Sequence, residues 1–281
     1  MDLIIQAALV GLLQGLTEFI PISSSAHLEL APWIAGWGSD GLIGSLAFDV
    51  FLHLGTFVAL VAYFWRDWVR YIAAWFASVR ERRIGEDSDR RIAWLLLAAT
   101  IPAAIIGFAL EDFITEAFHG DSDGARLAIA GFLVIGATAL WLADRYGRRQ
   151  RPMENLSTGS ALVIGFSQAL ALFPGISRSG ATITAGLALG LTREAAARFS
   201  FLLATPITFG AGVYGSRHLL TEAHTSSEWV AIGVGFAVAA LSGMLAIGFL
   251  LAWLRRRSVA IFSIYRIAFA ALVVVLVVLG R

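Results

Sequence analysis

Apolar runs near or above the roughly 18 to 20 residues that an α-helix needs to cross a bilayer recur along this sequence, for example at 42–65, 229–254 and 260–280. A chain patterned this way is expected to fold in lipid, with helices rather than a barrel doing the spanning. Composition agrees, since 58% of the 281 residues are hydrophobic and 15% are charged, against about a quarter charged in soluble domains. The formal net charge of +1 argues against a nucleic-acid partner. Cysteine is absent, which excludes disulfides and thiolate metal sites and leaves the chemistry to oxygen and imidazole groups. Residues 1–20 have the hydropathy of a signal peptide. However, Asp2 stands where a basic segment would, and Gln14 and Glu18 interrupt the apolar stretch, so mature structure is expected there.

Every basic residue is arginine, 21 in all, and their distribution carries the topology. Three connections are arginine-rich: 66–91 with seven, 145–151 with four and 255–257 with three. These are expected on the cytoplasmic side, and with Arg193 and Arg198 they place 16 of the 21 arginines there. The acidic or mixed connections 111–123 and 217–228 then lie outside, where His119, His218 and His224 are expected to be solvated. Six spans result, at 43–65, 93–110, 127–143, 199–215, 229–254 and 260–280. Residues 69–89, with Tyr71 and Trp75, read as an amphipathic surface segment.

That parity leaves residues 3–40 starting and ending outside and residues 158–192 starting and ending inside, although both are apolar. Each is expected to be a re-entrant helical hairpin. Both contain a break: Pro21 before Ser23, Ser24 and Ser25, and Pro174-Gly175 before Ser177, Arg178 and Ser179. Irregular backbone at membrane depth survives only when buried in protein or lining a cavity, so both tips should face a polar interior. The stretches also match at an offset of 154, pairing Gly11 with Gly165, Gln14 with Gln168, Leu16 with Leu170, Phe19 with Phe173, Ile22 with Ile176, Ser23 with Ser177 and Ser25 with Ser179. The expected fold is an all-α integral membrane protein forming a single membrane domain of six transmembrane helices plus two re-entrant helical hairpins. These are arranged in two inverted repeats, about 1–150 and 151–281.

The residues able to do chemistry gather at the breaks. Gln14 and Glu18 are four apart and share one helix face. A carboxylate inside the membrane costs roughly 2.5 to 3.5 kcal/mol, which makes Glu18 a functional candidate, the alternative being a purely structural cap or ion pair. Ser23, Ser24 and Ser25 follow a proline and suit an anion, or are simply small residues at a turn. His27 adds a group able to transfer a proton or attack a phosphorus. In the second tip Arg178 stands between Ser177 and Ser179, offering a planar cation and short donors that suit a phosphate. Its alternative role is as structural partner of Glu18. Asp49 and His53 form a further i, i+4 pair, either supporting the site, binding a cation or serving structure.

Three motifs together resemble the signature regions of the undecaprenyl pyrophosphate phosphatase family, the bacitracin-resistance phosphatases. They are Gln-x-x-x-Glu at Gln14 and Glu18, Pro-x-Ser-Ser-x-x-His at Pro21 to His27, and Pro-Gly-x-Ser-Arg-Ser-x-x-Thr at Pro174 to Thr182. The resemblance covers the whole chain in length and hydropathy. The family accepts Glu or Gln at the first motif position, so Gln14 is a tolerated variant. The resemblance implies hydrolysis of the C55 polyprenyl diphosphate to the monophosphate, recycling the carrier for peptidoglycan, and bacitracin resistance, because bacitracin sequesters that lipid and not the protein. It implies a location in the bacterial plasma membrane with the site open to the periplasmic or outer side. By motif position it implies Glu18, Ser24, His27 and Arg178 as catalytic, with Ser23, Ser177, Ser179 and Thr182 beside them. Gln14 and Ser25 join the expected substrate-binding set.

The expected mechanism has Arg178 and the serine-rich tips hold the diphosphate while Ser24 or His27 attacks the terminal phosphorus. Glu18 orients or deprotonates the nucleophile, or coordinates a divalent cation, Mg or Ca, that bridges the phosphates. No organic cofactor is expected. The prenyl tail stays in bilayer lipid. Oligomeric state, homodimer included, is left open. The rival reading is a secondary transporter or lipid flippase with a mid-membrane anion site, since inverted repeats with broken helices mark such carriers.

Overall fold

The computed structural model describes residues 2–37, 41–118, 122–221 and 225–280, and His119 and His224 lie outside that set. Of His218 only the backbone is described. Eleven α-helices run through the described residues: α1 Leu3–Phe19, α2 Ser24–Ala35, α3 Leu46–Tyr63, α4 Trp65–Glu81, α5 Ser88–Phe118, α6 Asp123–Tyr146, α7 Thr158–Gln168, α8 Arg178–Ala188, α9 Arg193–Thr221, α10 Ser226–Leu254 and α11 Ala260–Val278. Five hold segments long and apolar enough to cross a bilayer: Ser88–Leu110 in α5, all of α6, Arg193–Val213 in α9, and all of α10 and α11. The bent pair α3–α4 makes a sixth, so each span expected from sequence falls on a helix. The helices outrun the apolar windows, because a window marks only what lipid can cover. Helical hydrogen bonding continues until a cap ends it, as at Thr225, whose hydroxyl and Glu228 form a capping box at the start of α10.

The surface segment expected at 69–89 begins at Trp65, where the chain turns by 76° out of α3 into α4. On α4, Trp65, Val69, Ile72, Phe76 and Val79 are exposed while Tyr71 and Ser78 are buried. The exposed residues recur at helical spacing, giving α4 one outward apolar stripe and one face packed on the bundle. Three ion pairs tie this end of the molecule to the neighbouring arginine-rich connections. Arg198 on α9 meets Asp67 of α4 at 2.6 Å, Arg193 meets Asp144 of α6 at 2.5 Å, and Arg255 after α10 meets Glu194 at 2.9 Å. The arginine-rich connections therefore converge on one end of the bundle.

The two short apolar helices α1 and α7 are set into the bundle by glycine. A Cβ on Gly11 would stand 3.0 Å from the Cα of Gly235, and one on Gly165 2.9 Å from the Cα of Ala99. These contacts bring α1 onto α10 and α7 onto α5 at backbone distance, as expected where packing rather than water exclusion holds helices together. In each case the next helix starts after a break. Ser23 and Ser177 both have positive φ, both accept a hydrogen bond from the N–H three residues on, and both lie 3.2 Å from the hydroxyl two residues further along, of Ser25 and Ser179.

Candidate active site

The ends of α1 and α8 meet at one carboxylate. Glu18, buried near the C-terminus of α1, binds Arg178 Nη2 through Oε1. Its Oε2 accepts the hydroxyl of Ser24 at 2.5 Å and the amide of Gln14 at 3.2 Å. Arg178 opens α8, and its Nη1 donates to Thr208 Oγ1 at 2.6 Å and to the Ala204 carbonyl at 3.3 Å. The guanidinium thus spans Glu18 and α9, and losing either charge of a buried pair like this costs about 3–5 kcal/mol because the other is stranded. Ser24, Ser25 and Arg178 are partly exposed, whereas Gln14, Glu18, Ser23, Ser177 and Ser179 are buried. The members of the cluster that reach the surface are therefore Ser24 and Arg178, with Ser25 next to them in the chain.

Of the ten site residues expected from sequence, Gln14, Glu18, Ser24 and Arg178 form one hydrogen-bonded cluster. Ser23 and Ser177 serve as helix caps. Thr182 is turned to structure: its hydroxyl bonds Ser200 Oγ on α9 at 2.6 Å and the Arg178 carbonyl at 2.8 Å, fastening α8 to α9.

His27 and Ser24 are not hydrogen-bonded to each other. The His27 Nδ1 lies 2.7 Å from the Ser23 carbonyl, which can only accept, so Nδ1 carries the proton and Nε2 accepts from Tyr265 Oη at 2.8 Å. The ring stacks on Phe269, with centroids 4.5 Å apart, and borders an apolar groove of about 540 Å³ that also includes Leu13, Ile34 and Leu272. The imidazole facing Glu18 is that of His53, whose Nε2 is 3.6 Å from Oε2 while Nδ1 donates to the Asp49 carbonyl at 2.8 Å. Asp49 thus partners His53 through its backbone carbonyl, which leaves the far side of the ring turned to Glu18.

Thr208, Tyr265, Ser200 and Arg266 join the site without having been singled out from sequence. Thr208 and Ser200 carry no signal, being hydroxyls within apolar spans. Arg266 did carry one, since an arginine inside the apolar stretch 260–280 is costly wherever it points. A resident divalent cation finds a poor donor set in the cluster. Glu18 is its only carboxylate, both oxygens are taken, and among the described residues no group of three or more His, Asp or Glu gathers to hold a metal.

A family model described as bacitracin resistance protein BacA matches residues 7–272. An undecaprenyl-diphosphatase of Thermomicrobium roseum is 46% identical over 278 residues, covering 98% of this chain and 99% of that protein. Proteins of the same name from Moorella thermoacetica and Rubrobacter xylanophilus are each 44% identical, over 279 and 277 residues, and each match covers at least 98% of both chains. With a match of that extent on both counts, the chain belongs to the bacitracin resistance protein BacA family.

Proposed function

We infer that this chain is an undecaprenyl-diphosphatase, hydrolysing undecaprenyl diphosphate to undecaprenyl phosphate and inorganic phosphate in a multi-pass membrane setting. The single observation that carries the chemistry is the 2.5 Å hydrogen bond from Ser24 to a carboxylate whose other oxygen is bound by Arg178. A hydroxyl held on a carboxylate is a nucleophile with its base attached. Ser24 Oγ attacks the terminal phosphorus, its proton passes to Glu18, and the bridging P–O bond breaks to release the monophosphate. Water then hydrolyses the phosphoserine, freeing inorganic phosphate and restoring Ser24. Arg178, beside the same carboxylate, is placed to take phosphate oxygens as charge builds on them, its fork matching two oxygens at once. His27, held by Ser23 and Tyr265 at the edge of the apolar groove, orients the first tip.

α1 packs on α10 and α7 on α5, while α3 meets α9 and α6 meets α11. With α1–α6 as one half and α7–α11 as the other, each hairpin leans on a span of the opposite half. This exchange, with the matched geometry at Ser23 and Ser177, supports two inverted repeats. The convergence of arginine-rich connections supports a cytoplasmic end for the bundle, and the family resemblance is what supports entry of substrate from the outer side of the plasma membrane. The rival reading, a transporter or flippase, requires an anion cradle but no base-held hydroxyl. The assay that separates them is phosphate release from undecaprenyl diphosphate by the detergent-purified chain, where transport is impossible. Release that is abolished by Arg178→Ala is expected, and absence of release from the wild type would overturn the enzyme reading.

A further inference from the structure

Arg266 is the largest fully buried side chain among the described residues, with 0% of its surface exposed. It lies on α11 behind the second tip. Its Nη2 donates to two consecutive carbonyls of the break, Gly175 O at 2.7 Å and Ile176 O at 2.9 Å. Its Nε and Nη1 have no protein partner, and no carboxylate lies within ion-pair distance among the described residues. The fit is close on the far side too: a Cβ on Gly136 of α6 would stand 2.8 Å from the Arg266 Cζ and 2.9 Å from the Ile176 carbonyl. On the near side, a Cβ on Gly180 would stand 3.0 Å from Nη1, which puts the guanidinium against the first turn of α8.

These contacts act on a turn whose conformation is unusual at two positions, φ 106° at Gly175 and 74° at Ser177. Both carbonyls between those positions are drawn back toward α11. Gly180 N is taken by the Ser177 cap and Ala181 N by the Ser177 carbonyl, which leaves the N–H groups of Arg178 and Ser179 at the start of α8 for an anion so long as no carbonyl is turned the same way. Were the peptide at 175–176 or 176–177 to flip, a carbonyl oxygen would replace an amide at the cradle and repel phosphate. The charge counts as well. Arg178 is matched by Glu18, whereas Arg266 is unmatched, and an unpaired buried cation is costly unless an anion comes to meet it.

We propose that Arg266 is a positioning residue for the phosphate-binding tip: it fixes the carbonyls of Gly175 and Ile176 away from the substrate and supplies the positive charge that Glu18 does not cancel. The proposal rests on the second tip holding the diphosphate. Placement and charge are separable by substitution. Arg266→Met removes both, Arg266→Lys keeps the charge but falls one bond short of the place where Nη2 meets both carbonyls, and Gly136→Ala keeps the arginine but pushes it off its seat.

The test is steady-state phosphate release from undecaprenyl diphosphate by full-length variants in detergent, with thermal unfolding measured alongside. Arg266→Met is expected to raise KM and lower kcat, with kcat/KM down about 10²-fold, the scale of a misplaced binding group. Arg266→Lys and Gly136→Ala are expected to lower kcat about tenfold while KM stays within about threefold, because charge is retained and placement is not. Values for Arg266→Met within about twofold of wild type overturn the proposal. It is also overturned if the losses in all three vanish once each is assayed well below its own unfolding midpoint, since Arg266 would then serve the fold alone. A wild type that releases no phosphate refutes the enzyme reading instead, and Arg178→Ala in the same plate tells the two apart.

Discussion

Ser23 and Ser177 adopt nearly the same positive φ, 78° and 74°, at the start of the helices that follow the two breaks. Non-glycine residues seldom take this conformation, and it costs on the order of 1–3 kcal/mol. Each serine also caps its helix, accepting from Ala26 N at 3.4 Å and from Gly180 N at 3.1 Å. Replacement by alanine removes the cap and keeps the strain, for a loss of about 0.5–2 kcal/mol. Replacement by glycine relieves the strain and gives up only a few tenths of the cap. The expected order of thermal midpoints at both positions is glycine at or above serine, and serine above alanine. A more stable alanine variant at either position would show that the backbone there is not held as described.

The nucleophile is open to direct chemistry. Rapid quench with undecaprenyl diphosphate labelled in the terminal phosphate should trap a protein-bound phosphate with the acid stability of a phosphoserine, absent in Ser24→Ala. Because Glu18 holds the hydroxyl, Glu18→Gln should slow formation of that species by about 10²- to 10⁴-fold, the range general-base assistance supplies. An acid-labile, base-stable adduct would move the attack to His27. Turnover with no adduct at any time would favour water.

Arg178 reaches Glu18 with one terminal nitrogen and Thr208 and Ala204 with the other. An ammonium cannot span those partners, so Arg178→Lys should lose about 10²-fold or more in kcat/KM although charge is kept. Thr208→Val removes one of the anchors and should cost about tenfold, read mainly in kcat, since a guanidinium that wanders still attracts the substrate. Near-normal turnover in Arg178→Lys would leave only a diffuse positive field to that residue.

Sidedness follows from the arginine-rich end. Single cysteines at Arg83 and Glu86, both exposed between α4 and α5, should label from the cytoplasm only, and cysteines at Ser122 and Asp123 from outside only. Labelling of both pairs from one side would refute the parity argument and the re-entrant hairpins with it.

Much of the fold is legible in the sequence because lipid applies a simple rule. A span must be apolar, long and helical, so residues 229–254 and 260–280 announce α10 and α11 almost to the residue. The same rule exposes the site, since Glu18 and Arg178 are tolerated at such depth only with a partner. The breaks at Pro21 and at Pro174-Gly175 mark where helices stop, and arginine counts give the expected sides. These are local properties, written within a few residues of where they act.

What the tertiary structure decided is which groups meet. The sequence puts His27 three residues from Ser24, yet helix geometry points its ring toward Tyr265, 238 residues away, while Glu18 turns back to take the hydroxyl. His53 looks from sequence like the partner of Asp49, but its Nε2 faces Glu18. Arg266 carries a visible signal and no visible address: only the packing of α11 against α6, across a glycine with no room for a methyl group, sets its guanidinium on the carbonyls of the second tip. The physical reason is range. Hydropathy and backbone breaks act along the chain, whereas the direction of a buried polar side chain is set by whichever distant helix supplies its hydrogen-bond partner.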